Sequence, residues 1–206
     1  MKQPSPPAKR SAGRPRTFDR EQALGIALDL FWRHGYDGTS IPQLTTAMGI
    51  SPPSLYAAFG SKDALYRETI KLYQTKYSGF MNSIFDEKIS SRVAVERALL
   101  AAAKQFSDTG HAPGCMISSA ELQASPDNQR LAAEIASFRL AAQQVVYTRL
   151  EAARKSGELP RNTDTASLAA FFAMVSQGMS VQARDGAKAA VLKRLAKLAM
   201  QAWPQK

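Results

Sequence analysis

Between residues 40 and 62 the chain sets out Ser40, Ser51, Ser54, Tyr56 and Lys62, interleaved with Pro52 and Pro53. A serine hydroxyl both donates and accepts. A tyrosine hydroxyl reaches a phosphate oxygen while its ring packs. A lysine at a helix start adds its charge to the positive end of the helix dipole. Such a set suits a polyanion. The overall charge agrees, at +10 with a pI near 9.9. Half of that excess lies in residues 1–20, where Lys2, Lys9, Arg10, Arg14, Arg16 and Arg20 face Asp19 alone. Clustered cations of this kind are the electrostatic footprint of a nucleic-acid partner. The serines also have an ordinary duty as helix caps, and Tyr56 can equally be a half-buried core ring.

Other chemistries find little support. There is no phosphate-cradling glycine loop, no HExxH and no nucleophile elbow, and neither His34 nor His111 has an evident catalytic partner, so no enzyme and no cofactor is expected. One cysteine and two histidines cannot build a four-ligand Cys/His zinc site, and no metal is expected. The longest apolar stretch, residues 168–175, falls well short of the ~18 residues that suggest a membrane span. A soluble, cytoplasmic protein is the expectation. Cys115, in His111-Ala112-Pro113-Gly114-Cys115, stands at or near a helix start, where dipole and free amides can lower a thiol's pKa. Reactive sensing, with His111 as a pairing partner, is one reading and an inert buried thiol the other. A metal site joining Cys115 and His111 to Asp108 or Glu121 is the least favoured.

The elements that must position these residues are helical throughout, giving an all-α fold of about nine helices. Residues 1–17, with four prolines, read as a disordered basic arm, 18–66 as a head and 67–206 as a larger helical domain. A first helix over 20–34 is capped by Asp19 and carries Leu24, Ala27, Leu28 and Phe31 on one face. Ser40 caps a second helix that Gly49 ends, and Ser51 caps a third that Gly60 ends. Two helices so short, joined so tightly, must cross steeply, which is the helix-turn-helix arrangement. The spacing then predicts longer helices from 61 toward 84, over 91–108, 127–156, 164–184 and 188–203, with a short one after Gly114.

The runs Gly35-Tyr36-Asp37-Gly38-Thr39-Ser40, Ala47-Met48-Gly49-Ile50-Ser51 and Ser54-Leu55-Tyr56-Ala57-Ala58-Phe59-Gly60-Ser61-Lys62-Asp63 resemble the DNA-binding domain of TetR-family transcriptional repressors. The resemblance covers residues 18–66; the rest is far less diagnostic. It implies a homodimer on a palindromic double-stranded operator, released by a small-molecule effector. Carried over by position, it implies DNA contacts from Ser40, Pro42, Gln43, Ser51, Pro52, Pro53, Ser54, Tyr56 and Lys62. Pro42 and Pro52 depart from the polar readers of many relatives, so direct base readout should be thin. Specificity then leans on thymine methyls, on DNA shape, or on Arg14 and Arg16 of the arm entering a minor groove.

An effector is expected between helices of the larger domain, with Phe80, Phe106, Cys115, Met116, Phe138, Tyr147, Phe171, Met174 and Gln177 as candidate lining, a set that favours a lipophilic or aromatic molecule. Phe172, Val175, Met179, Leu192, Leu195 and Ala199 form the stripes expected to pair two copies; closing the subunit's own core is the other reading. The alternatives in function are a thiol-based sensor acting through Cys115 and a helical adaptor that never meets DNA.

Overall fold

A computed structural model describes residues 19–120 and 125–205; the side chains of Phe80 and Asn82 are also outside the described set. Ten α-helices and no strand occur among the described residues. The order is α1 Arg20–His34, α2 Ile41–Met48, α3 Pro52–Phe59, α4 Lys62–Tyr73, α5 Gly79–Asp86, α6 Ser91–Phe106, α7 Met116–Ser119, α8 Gln129–Lys155, α9 Thr165–Arg184 and α10 Ala189–Ala199.

The short N-terminal helices stop and start where their caps dictate. The Asp19 carboxylate accepts from the Glu21 and Gln22 amides at 2.9 and 3.1 Å. The Ser40 hydroxyl accepts from Gln43 N–H while the Gln43 amide oxygen accepts from Ser40 N–H, a reciprocal box that fixes the first turn of α2. Gly49 then turns the chain at φ +67°, a conformation a β-carbon would strain, and α3 follows at once. Leu44, Leu55, Phe59 and Leu65 point inward with Ala27, Leu28 and Phe31 to close the head. Arg20 clamps its rim: the guanidinium lies 4.5 Å over the Phe59 ring and binds the Glu68 carboxylate at 2.7 Å.

The single helix expected from 61 toward 84 is broken. After Tyr73 the chain passes through a π-helical turn, Gln74–Ser78, before α5 resumes. No proline forces the break, and π turns of this sort recur at functional sites. Two apolar cores result. The head's core continues through Ile70 and Tyr73 to Met116, Leu131 and Ile135. The second joins α6, α8, α9 and α10 through residues such as Leu99, Leu150, Phe172 and Leu192.

Candidate nucleic-acid interface and effector cavity

The α2–α3 unit presents one outer surface. Ser40, Pro42, Gln43, Ser51, Pro52, Pro53, Tyr56 and Ala57 are exposed on it, with Ser54 and Lys62 half-buried at its edges. The structure therefore leaves the sequence-derived set exposed or half-buried on α2, α3 and the start of α4, apart from Arg14 and Arg16, which lie outside the described residues. Most of its hydroxyls are already committed. Ser51 Oγ accepts from the Ser54 amide and shares a 2.8 Å hydrogen bond with Ser54 Oγ. Gln43 Oε1 is held by Ser40, which leaves its NH2 group to point outward as a donor. Tyr56, 47% exposed, is not a core ring. Lys62 Nζ lies 4.0 Å over the ring of Tyr36, a cation–π contact that holds its ammonium beside the α4 N-terminus. Tyr36 in turn donates to the Asp63 carboxylate; burial and that carboxylate push its phenol well above the usual tyrosine range.

A cavity of about 510 Å³ opens between the π turn, α5, α6, α8 and α9. Of the expected lining, Phe106, Cys115, Phe138 and Gln177 are in its wall. Met116, Tyr147, Phe171 and Met174 are not: Met116 is buried in the head's core, Tyr147 and Phe171 pack against the second core, and Met174 faces outward at 62% exposure. The side chain of Phe80 is not described. The wall also includes Tyr73, Gln74, Tyr77, Gln105 and Arg139, which sequence reasoning missed. Apart from Arg139 it is uncharged: no carboxylate lines the cavity among the described residues. Arg139 is occupied in bracing α7, donating to the carbonyls of Ile117 and Ala120 at 3.0 Å each.

Cys115 caps α7. Its sulfur accepts from the Ser118 amide at 3.4 Å and from the Tyr73 hydroxyl at 3.1 Å. Burial, with the cysteine beside it, pushes the Tyr73 phenol far above its ordinary range, so it stays a donor. His111 is not the thiol's partner. Its Nδ1 meets the Ala112 carbonyl at 2.8 Å, an acceptor that requires the proton there, so Nε2 accepts from Gln105 at 3.2 Å. The imidazole stacks on Trp32 instead, with centroids 4.5 Å apart. No cluster of His, Cys, Asp or Glu that could hold a metal occurs among the described residues, and Glu121 lies outside them.

Head and cavity share a wall. Tyr73 and Tyr77, which line the cavity, meet the Trp32 ring of α1 edge-on at 4.9 and 5.0 Å. Three polar clasps also join the first four helices and their loops to the rest of the chain. Arg184 at the end of α9 donates to the Trp32 carbonyl. Arg67 on α4 pairs with Glu134 on α8 at 2.8 Å, one turn before Phe138 of the cavity wall. Asp37, after α1, accepts from Ser125 N–H at 3.1 Å and from the Asn128 side chain.

The stripes expected to pair two copies face the other way. Phe172, Met179, Leu192 and Ala199 are buried in this subunit's own core, and Val175 and Leu195 pack against it. The four buried side chains are covered by their own chain, while Val175 and Leu195 keep part of their surface exposed. The opposite faces of α9 and α10 expose Ala170, Met174, Gly178, Val181, Val191 and Leu198, with Met174 and Leu198 at 62% and 58%. No described helix is long and apolar enough to cross a membrane.

Comparison with known proteins agrees with this geometry. Residues 24–69, α1 through α4, match the family described as bacterial regulatory proteins, tetR family. The chain is 33% identical to the HTH-type transcriptional repressor ComR of Escherichia coli (strain K12) over 96% of its own length and 94% of that protein's. It is 33% identical to the HTH-type transcriptional repressor BdcR of the same organism, over 86% of this chain and 85% of that one. Its backbone superposes with a TM-score of 0.88, at 36% identity and over 93% of this chain and 100% of the other, on a cysteine variant of the TetR family transcriptional regulator CifR complexed with 26 bp double-strand operator DNA. The chain belongs to the tetR family of bacterial regulatory proteins.

Proposed function

We propose that this regulator is a repressor that binds a palindromic operator as a homodimer and leaves it when a small molecule fills the cavity. One observation carries the reading: the cavity wall and the core of the DNA-reading head share the same rings, Tyr73 and Tyr77 against Trp32. Occupancy of one is thereby felt by the other. The operator-bound CifR supports duplex DNA as the partner. Ser40, Gln43, Tyr56 and Lys62 supply the polar and charged contacts to phosphate, and α3 enters the major groove.

One head makes few contacts. Two heads about 34–36 Å apart make a usable site. The exposed small and apolar faces of α9 and α10 are the surface on which a second copy closes, as a four-helix contact. The effector is a largely apolar molecule without a positive charge, since no carboxylate in the described wall would balance one. It shifts occupancy only to the extent that it prefers the conformation whose heads misfit DNA. A coupling of about 1–3 kcal/mol gives a 5- to 150-fold loss of operator affinity.

The test is a footprint followed by release. Purified protein protects an inverted repeat at two chains per duplex, and a screen of apolar compounds finds some that abolish the footprint. Protection that survives every compound defeats the effector half of the reading, and no protection defeats the whole. Cys115→Ser keeps the response if the cavity senses by occupancy and loses it if the thiol reacts.

A further inference from the structure

The end of α3 that meets DNA is made almost wholly of carbon. Its first two residues, Pro52 and Pro53, carry no N–H, and the third amide, on Ser54, is already taken by Ser51 Oγ at 3.3 Å. The first turn, which in other helices offers free amides to phosphate, offers none here. The hydroxyls of Ser51 and Ser54 bind each other at 2.8 Å. Leu55 and Phe59 are buried in the head. What remains exposed along the helix is two pyrrolidine rings, the Tyr56 ring with its hydroxyl, and the Ala57 methyl, with Ser54 half-buried and one O–H proton of the Ser51–Ser54 pair outside their shared hydrogen bond.

In the major groove, base edges show hydrogen-bonding atoms and one apolar group, the C5-methyl of thymine. A carbon surface pressed on a guanine or cytosine edge would strip water from donors and acceptors and return nothing. On a thymine methyl it buries apolar area on both sides. We propose that α3 reads its operator through thymine methyl groups, with Pro52, Pro53 and Ala57 as the specificity-determining residues. The proposal rests on the operator-binding reading above. It assigns the positioning contacts to α2 and Lys62 and the base discrimination to carbon.

The experiment begins with the full chain selecting duplexes from a randomised double-stranded pool. Each thymine of the enriched half-site is then replaced singly by deoxyuridine, which removes the methyl and leaves every hydrogen-bonding atom in place. One or more positions per half-site should lose about fourfold in affinity, the worth of one buried methyl. Replacing the thymine·adenine pair there by 5-methylcytosine·guanine, which restores a methyl on the same edge, should bind better than the unmethylated cytosine pair. In Ala57→Gly or Pro52→Ala, checked for an unchanged melting profile, the uracil penalty should shrink at one position and persist at the others. If either variant melts early, the deoxyuridine series on the wild-type chain still decides the question. Uracil tolerated within twofold at every position, with 7-deazapurines weakening binding instead, would mean that polar atoms are read and would overturn this inference alone. A protein that enriches no duplex overturns the operator reading and this inference together.

Discussion

The head and the effector domain are both helical, yet they treat their interiors in opposite ways. The head is full. Its short helices are capped, and Phe31, Tyr36, Tyr66, Leu44, Leu55 and Phe59 fill the space between them. The effector domain has longer helices and leaves about 510 Å³ unfilled among them. A filled core holds one shape, because close packing resists small distortions. An unfilled one can adopt alternatives of similar energy, and a ligand selects among them. The contrast suggests a rigid reader driven by a compliant sensor, with the π turn at Gln74–Ser78 on the border.

The same truncation in each region tests that contrast most severely. Phe59→Ala empties a site that is 4% exposed and removes the ring under Arg20, and should cost about 3–5 kcal/mol in denaturant unfolding. Phe138→Ala merely enlarges a space that already exists and should cost clearly less. Equal losses would mean that the cavity is filled or collapsed in solution. Next in size is the pairing face. Met174→Asp combined with Leu198→Asp should turn sedimenting dimers into monomers with folded heads, and operator affinity should fall with them. The corresponding change at Val175 should instead unsettle the subunit's own core.

A smaller effect belongs to charge on the head. Lys62→Ala should weaken binding to all duplexes alike and reduce the slope of log affinity against log salt by about one contact's worth, ~0.9. A loss confined to particular sequences would make Lys62 a base reader. Smaller still in stability, but specific in coupling, is the clasp between the two regions. The Arg67–Glu134 pair is about one-third exposed on each side and should contribute no more than about 0.2–1 kcal/mol to folding. Glu134→Gln should nonetheless broaden the distance between spin labels on the two heads, and an unchanged distribution would remove this clasp from the transmission. A further effect, on pH dependence, belongs to Asp164, whose carboxylate caps α9. The Ser167 backbone amide and hydroxyl hold it below the usual carboxylate range. Its stabilisation is complete above the ordinary aspartate pKa and disappears as pH falls through the lowered folded value. Melting curves of Asp164→Ala and wild type should therefore differ at neutral pH and converge in acid.

What was legible in the sequence follows the same division. Caps and stops are local chemistry, so Asp19, Ser40, Ser51, Gly49 and Gly60 announced the head's first three helices to within a residue or two. The break after Tyr73 was not legible, because apolar residues continue in helical register across it and no proline or glycine marks its start. The inward face of α9 and α10 was read correctly as apolar, and its side chains Phe172, Met179, Leu192 and Ala199 meet this subunit's own core. Both helices carry apolar residues on two faces, and periodicity alone does not say which face meets the home subunit. A cavity is an absence of packing, so Phe106, Cys115, Phe138 and Gln177 were found among residues that turned out to be core or surface. The clasps Asp37–Asn128 and Arg184–Trp32 join residues distant in sequence, and no local pattern encodes them.

The central claim is that paired copies of the α2–α3 unit sit in successive major grooves of duplex DNA. Binding of the purified protein to its footprinted duplex and to a scrambled duplex of equal length, measured across a salt series, tests it directly. The claim predicts two chains per duplex, a preference for the footprinted sequence that persists at every salt concentration, and a steep linear fall of log affinity with log salt. A single chain per duplex, or equal affinities that ignore salt, would contradict it.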